Sequence, residues 1–269
     1  MNIFNRPFGK RALAQGDRKL AYFWQPKNGQ PNIGDHLAIE IVRKVLDSQY
    51  LVIFDMLHKK NKLLSIGSVL HFANNGDTVW GTGRNGKVAD DLHQFSKLDV
   101  RAVRGPLTRD FFLSKHIDCP EIYGDPGLLC PYFYSEKLLC PDGPDKECVI
   151  IPQLNDDMSF YRGFEEHICS PRQYPATFIK QLLRGKKIIA SSLHGLIIAE
   201  AYGRQAIFLD SNSGETLSKY EDYYLGTGRQ SFKSSNSIEC ALSETSAPIS
   251  DLDKLLENLV DAFPFDLWV

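Results

Sequence analysis

No window of the chain approaches 18 consecutive apolar residues, so the sequence offers no membrane-spanning helix. The first twenty residues, MNIFNRPFGKRALAQGDRKL, are basic but lack the uninterrupted apolar core of a secretory signal. The expected location is therefore the cytoplasm. The six cysteines, Cys119, Cys130, Cys140, Cys148, Cys169 and Cys240, include no CxxC pair and no ligand-like grouping with histidine. That spacing argues against a zinc site, and the expected compartment favours free thiols over disulfides. An excess of one charge is missing too. The net charge is -2 and no basic stripe is present, which argues against a nucleic-acid partner. Internal repeats and low-complexity segments are likewise absent.

What is present fits an ordinary globular protein. Of 269 residues, 43% are hydrophobic and 24% charged, enough for one large domain or two modest ones. The charge is unevenly spread: residues 1–140 carry 19 Lys/Arg against 14 Asp/Glu, whereas residues 141–269 carry 12 against 19. A basic half suits an anionic ligand. Charge complementarity between two domains, or chance, is the alternative.

Apolar runs of strand length alternate with helical patterns, the signature of parallel sheets with crossover helices. In the first half, strands are expected at 19–25, 51–54, 62–69, 77–81, 100–103 and 121–123, with helices at 35–48 and 106–116. The periodicity fades between Tyr134 and Glu147, where prolines, a glycine and charges mark a linker. Beyond it, strands at 148–151, 187–190 and 206–209 alternate with helices at 174–183, 193–202 and 252–262. The expected fold is α/β: two Rossmann-like domains, 1–140 and 141–269, with parallel sheets and a cleft between them. Ligands in such sheets lie outside the carboxyl ends of the strands, which selects the loops that matter.

Five such loops carry candidate chemistry. In Pro31-Asn32-Ile33-Gly34-Asp35, Gly34 permits a tight turn and Asp35 can cap the following helix, whose free N–H groups favour anions. Gly81, Gly83 and Arg84 follow a strand in WGTGRNG, where backbone can approach a ligand closely, although the full dinucleotide fingerprint is missing. In RAVRGPLTR, Arg104 stands at a strand end beside a helix start and can grip a carboxylate or phosphate. A structural ion pair with Asp99 or Asp110 is its plainer alternative. Ala190-Ser191-Ser192-Leu193-His194-Gly195 ends a strand, with Ser192 as a helix cap, His194 in the first turn and Gly203 as the stop. An ordinary surface histidine would explain that segment equally. Finally, Lys219 among Tyr220, Tyr223 and Tyr224 suits an anion or a sugar face, or a solvated loop edge.

Taken in order, NIGDHL at 32–37, VWGTGRNG at 79–86, VRAVRGPLTRD at 100–110, YGDPGLL at 123–129, VIIPQ at 149–153, SSLHGLIIAEAYG at 191–203 and KYEDYY at 219–224 resemble the polysaccharide pyruvyl transferase family, especially its short bacterial exopolysaccharide members. The resemblance spans nearly the whole chain. It implies a two-domain, GT-B-like glycosyltransferase architecture with phosphoenolpyruvate bound between the halves. It also implies transfer of the enolpyruvyl group onto a sugar diol as a cyclic ketal, with release of phosphate, in exopolysaccharide or capsule synthesis.

By motif, the donor histidine is His194 and the first-domain arginine is Arg104, with Arg101 and Arg109 as alternatives. Some relatives carry arginine where this chain has Ser192, so the missing charge falls to Lys219, to Arg84 or to the backbone N–H groups at Ser191 and Ser192. Many relatives carry histidine where Gln153 stands, and no role is placed there. Asp35 serves as base or orients the acceptor hydroxyl, with Asn32, Gly34, Gly81 and Gly83 shaping the acceptor side. No metal and no redox cofactor is expected, phosphoenolpyruvate being a co-substrate. The acceptors implied include lipid-linked oligosaccharides. Residues 1–20, with Arg6, Lys10, Arg11, Arg18 and Lys19 against Asp17 and with Phe4, Phe8 and Leu13 interspersed, are then expected to touch the inner membrane face weakly. Two other readings remain at this point: a GT-B-type glycosyltransferase with a nucleotide-sugar donor, and an inactive carbohydrate-binding scaffold.

Overall fold

A computed structural model describes residues 21–24, 31–52 and 61–268. The arm 1–20 and half of the strand expected at 51–54 lie outside these. In the first half, β1 (Ala21–Tyr22), α1 (Ile33–Asp47), β2 (Leu63–Leu64), β3 (Thr78–Trp80) and β4 (Asp99–Ala102) lead into α2 (Pro106–Ser114). The four strands form one parallel sheet in the order β1-β2-β3-β4. In β3 and β4, Thr78 pairs with Asp99 and Val79 with Val100, and a register shift then sets Trp80 against Ala102. A 3-10 turn (Pro126–Leu129) and two short helices, α3 (Cys130–Phe133) and α4 (Glu136–Leu139), carry the chain to the second half.

There β5 (Lys146–Ile151), α5 (Pro175–Leu183), β6 (Gly185–Ala190), α6 (Leu193–Ala201), β7 (Gln205–Leu209), α7 (Ser218–Gly226) and β8 (Ser234–Ser235) follow, closed by α8 (Ile238–Ser243) and α9 (Leu252–Asp261). The second sheet is again parallel, in the order β5-β6-β7-β8. The described chain is thus mixed α/β, with two four-stranded parallel sheets.

Helix α1 buries Leu37, Ala38, Ile41, Val42, Val45 and Leu46, the i, i+3, i+4 stripe its sequence carries. Helix α6, LHGLIIAEA, is apolar nearly all round and buried nearly all round, which places it at the centre. A single core joins both halves, containing Leu37, Ile41 and Trp80 together with Val149, Leu196, Ile197 and Leu259. The Pro126–Leu129 turn lies against α1, α6 and α9 at this centre. The Trp80 indole donates to the Leu259 carbonyl at 2.7 Å and meets the Phe263 ring edge-on.

Most expected elements occur within a few residues of their sequence limits, with four differences. The strand expected at 62–69 stops at Leu64, and Gly67 at φ 97° turns the chain away. The strand expected at 121–123 reduces to a single bridge between Tyr123 and Val103. The linker contains α4. The KYEDYY segment is not a loop edge but α7, which buries Tyr220, Tyr223 and Tyr224. Their i, i+3, i+4 spacing is a helical signal hidden by the surrounding charges.

Candidate functional site

The turn from β6 into α6 is held from several sides. The Ser191 hydroxyl donates to Asp156 and accepts from the Gln153 N–H at 2.8 Å; Tyr161 Oη lies 2.9 Å from it. Asp156 also accepts from the Tyr161 and Ser211 hydroxyls, and the Ser191 carbonyl accepts from Tyr220. Ser192 caps α6, accepting from the Gly195 N–H at 3.4 Å. Gly195 is closely packed: a Cβ there would stand 3.0 Å from Ile151 and 3.1 Å from Ala190.

His194, in the first turn of α6, lies on the start of α1 from the other half. A Cβ on Gly34 would stand 2.3 Å from His194 Nδ1, so the imidazole rests directly on the Gly34 backbone. His194 Nε2 is enclosed and has no partner among the described residues. Burial, reinforced by the charges of Lys219 and Arg104, brings the imidazole down to about 3. It is therefore neutral near pH 7.

Asp35 lies one residue beyond Gly34. Burial pushes its carboxyl up to about 7, and a 2.6 Å hydrogen bond from the Asn32 amide opposes that rise only in part. The sequence suggested Asp35 as the helix cap. Asn32 occupies the cap position instead, with no side-chain bond to the backbone, and Asp35 sits inside the first turn. Its carboxylate is consequently not committed to the helix N–H groups.

Arg104 is fully buried and heavily bonded. Its Nε donates to Asp222 at 3.1 Å, Nη1 to the Ser68 hydroxyl at 2.7 Å and Nη2 to the Arg84 carbonyl at 3.0 Å. Asp222, on α7, also accepts from the Thr108 N–H and hydroxyl. A Cβ on Gly83 would stand 2.2 Å from the Arg104 guanidinium, so that glycine makes room for the arginine. The partner is neither Asp99 nor Asp110: Arg101 holds Asp99 and Asp266 on the surface, and Arg109 pairs with Glu121.

Lys219 is largely buried, pairs with Glu215 and lies over the Tyr220 ring at 5.0 Å. Burial lowers its ammonium below the ordinary lysine range, and Glu215 opposes the shift. Glu215 also binds Lys87 from the first half and Gln153. The Arg84 guanidinium turns elsewhere, pairing with Asp90 and lying 4.7 Å from the Phe111 ring. Gly81, at φ 91°, lets the chain pass Pro126, against which a Cβ would stand at 2.3 Å.

The structure therefore brings together Gly34, Asp35 and Asn32 at the start of α1 with His194, Ser191 and Ser192 at the start of α6. Lys219 and Arg104 supply the positive charge around His194. Four acids emerged only from the fold. Asp156 and Glu215 tie the loops around Ser191 and Lys219, and Asp222 holds Arg104. Asp125 is wholly buried: one oxygen accepts from the Gly127 N–H at 2.8 Å and the other is unpartnered. Its carboxyl is pushed up to about 6 by burial, against the nearby Arg104 charge. Asp125 carried a local signal as the cap of a DPG turn, and Glu215 stands four residues before Lys219; the Asp222 partners, and Ser191 and Ser211 for Asp156, lie far away in sequence. No trio of His, Cys, Asp or Glu among the described residues could hold a metal ion.

The family described as polysaccharide pyruvyl transferase matches residues 32–213, from Asn32 in the α1 turn to the loop before α7. No curated protein and no solved structure matches the chain.

Proposed function

The chain belongs to the polysaccharide pyruvyl transferase family, and from that membership we propose that it moves the enolpyruvyl group of phosphoenolpyruvate onto a sugar diol as a cyclic ketal. The observation that carries the proposal is His194 seated on Gly34, beside Asp35 and within reach of the Lys219 and Arg104 charges. The two-domain division at 140/141 with a GT-B-like arrangement of Rossmann-like halves belongs to the same proposal. So do a lipid-linked acceptor, a place at the inner face of the cytoplasmic membrane, and contact with that face through residues 1–20.

The chemistry balances with two substrates alone. The vinyl carbon C3 gains a proton and one sugar hydroxyl adds at C2. Phosphate leaves with the C2–O bond pair, and the second hydroxyl closes the ketal. Of the two hydroxyl protons, one ends in the new methyl group and the other on phosphate. A site for this must hold a phosphate and a carboxylate, deliver one proton and accept others.

Lys219 and the positive end of α6 are suited to the anions, with Arg104 adding its field from behind; the Ser191 and Ser192 N–H groups are themselves committed to the Ile151 carbonyl. Burial and the Lys219 and Arg104 charges keep His194 neutral, and an arriving phosphate raises its affinity for a proton, which fits an acid charged only when the donor is bound. Asp35, poised near 7, is matched to accepting a hydroxyl proton at neutral pH. Incubation with phosphoenolpyruvate and a panel of synthetic and lipid-linked glycosides should release phosphate and yield a product heavier by one pyruvate ketal. Glycosyl transfer from a nucleotide sugar without phosphoenolpyruvate consumption would overturn the proposal.

A further inference from the structure

We infer that Ser68, with the N–H groups of Gly67 and Ser68, is the surface through which buried Arg104 acts: a site for an anionic oxygen of phosphate or carboxylate. That this oxygen belongs to the donor rests on the proposed pyruvyl transfer, whereas the anion site stands on its own geometry.

Arg104 is 1% exposed, so its guanidinium does not itself face solvent. Nε donates to Asp222, which is equally buried, and Nη2 donates to the Arg84 carbonyl. Nη1 is directed at Ser68, whose hydroxyl accepts at 2.7 Å. Ser68, unlike Asp222, is partly exposed. It lies in the loop after β2, as Arg104 lies in the turn after β4, so both stand at the carboxyl edge of the first parallel sheet. The loop is pinned in place: the Gly67 carbonyl accepts from the Thr82 hydroxyl at 2.6 Å and from the Gly83 N–H at 3.1 Å.

The bonds that Ser68 does not make define the ligand. A serine hydroxyl can accept and donate at once. Here the guanidinium uses it as an acceptor, and no described residue accepts its proton. Nor does any described residue accept from the N–H of Gly67 or of Ser68. Three donors thus remain on two adjacent residues. Gly67, at φ 97°, puts no side chain beside them, and a Cβ there would meet nothing nearer than Val69 at 3.5 Å. Accepting from a cation also polarises the hydroxyl and strengthens it as a donor.

The surrounding charge selects an anion over an uncharged hydroxyl. In the linked ion pairs, Arg104 meets Asp222 while Lys219 and Lys87 share Glu215, so three cations answer two carboxylates. The Arg104 charge is felt at both His194 and Lys219, so Ser68 shares its cation with the residues around the proposed reaction. A phosphate or carboxylate oxygen gains from that excess and takes up the free donors as charge-assisted hydrogen bonds.

The test is calorimetric titration of the full chain with phosphoenolpyruvate, and separately with inorganic phosphate and with pyruvate. Ser68→Ala should weaken phosphoenolpyruvate binding by about tenfold or more, the scale of a hydrogen bond to a charged group. Ser68→Thr, which keeps the hydroxyl, should recover most of that loss. Ser68→Asp keeps an acceptor for Arg104 Nη1 but removes the donor, so it separates anion binding from mere support of the arginine. It should lose phosphoenolpyruvate binding while its urea midpoint stays at or above that of Ser68→Ala. A loss in the phosphate arm assigns the phosphoryl oxygen to Ser68, and a loss in the pyruvate arm assigns the carboxylate. Wild-type affinity in Ser68→Ala or Ser68→Asp, or no binding of any of the three by the wild type, overturns the site. Ser68-dependent binding of phosphoenolpyruvate without any ketal product removes pyruvyl transfer and leaves the site. Ketal formation with an unchanged donor KM in Ser68→Ala removes the site and leaves the reaction.

Discussion

Gly34 and His194 are separated by 160 positions, yet the ring of one rests on the backbone of the other. A methyl group at Gly34 would force the imidazole aside, because its nearest neighbours would be ring atoms at 2.3 and 2.5 Å. Gly34→Ala should keep the fold, at an overpacking cost of about 1–3 kcal/mol in a urea titration. It should lose roughly a hundredfold in phosphate release, since displacing a reacting group by an ångström has that scale. His194→Ala should lose at least as much turnover. Near wild-type rates in either variant would remove His194 from the chemistry.

Asp35 gives a second test at the same scale. Its folded carboxyl titrates near 7, so a base role makes turnover rise through about pH 7, and Asp35→Asn should flatten that limb. Stability moves the other way. A carboxyl raised on folding contributes stability that is complete below its unfolded value and is lost as pH rises through about 7. Thermal melts should therefore show the wild type losing ground to Asp35→Asn between pH 5 and pH 8.

At the scale of elements, the turn from β4 into α2 is locked to α7. A Cβ on Gly105 would stand 1.7 Å from the Asp222 carbonyl oxygen, and one on Gly226 would stand 2.2 Å from the Arg104 carbonyl oxygen. Two glycines thus let two backbones touch, and the Arg104–Asp222 pair is sealed between them. Removing one partner of a buried pair leaves an uncompensated charge. Arg104→Ala should therefore cost about 3–5 kcal/mol of stability in denaturant unfolding. A double-mutant cycle with Asp222→Ala should recover part of that loss. A loss confined to phosphoenolpyruvate affinity, with unchanged stability, would instead place the guanidinium on the donor. Nothing local could name Asp222 as the partner of Arg104, because the pairing depends on α7 returning to the first half.

For the whole molecule, the charge imbalance between the halves has a structural use. Lys87–Glu215, Arg101–Asp266 and Arg104–Asp222 each join a cation of residues 1–140 to an anion of residues 141–269, with Arg204–Glu136 running the other way. Complementarity between halves thus accounts for part of the asymmetry. No helix among the described residues is long and apolar enough to cross a membrane. Residues 1–20 hold five cations against one anion. If they reach an anionic surface, each contributes on the order of 1 kcal/mol. Full-length protein should co-sediment with anionic liposomes at low salt and lose that binding when residues 1–17 are removed. Equal sedimentation of both forms would end the idea.

The sequence by itself determined the α/β alternation, the paired parallel sheets and the loops at their carboxyl edges. Hydrophobic periodicity and caps are local, and each can be read within a dozen residues. It also marked His194, Asp35 and Arg104, because strand ends, glycines and helix starts sit beside them. Only the tertiary structure decided what those residues do to each other. The neutrality of His194, the raised Asp35 carboxyl and the burial of Arg104 against Asp222 arise from desolvation and from charges brought in by distant segments. Those quantities depend on distance in space, which the order of residues along the chain does not contain.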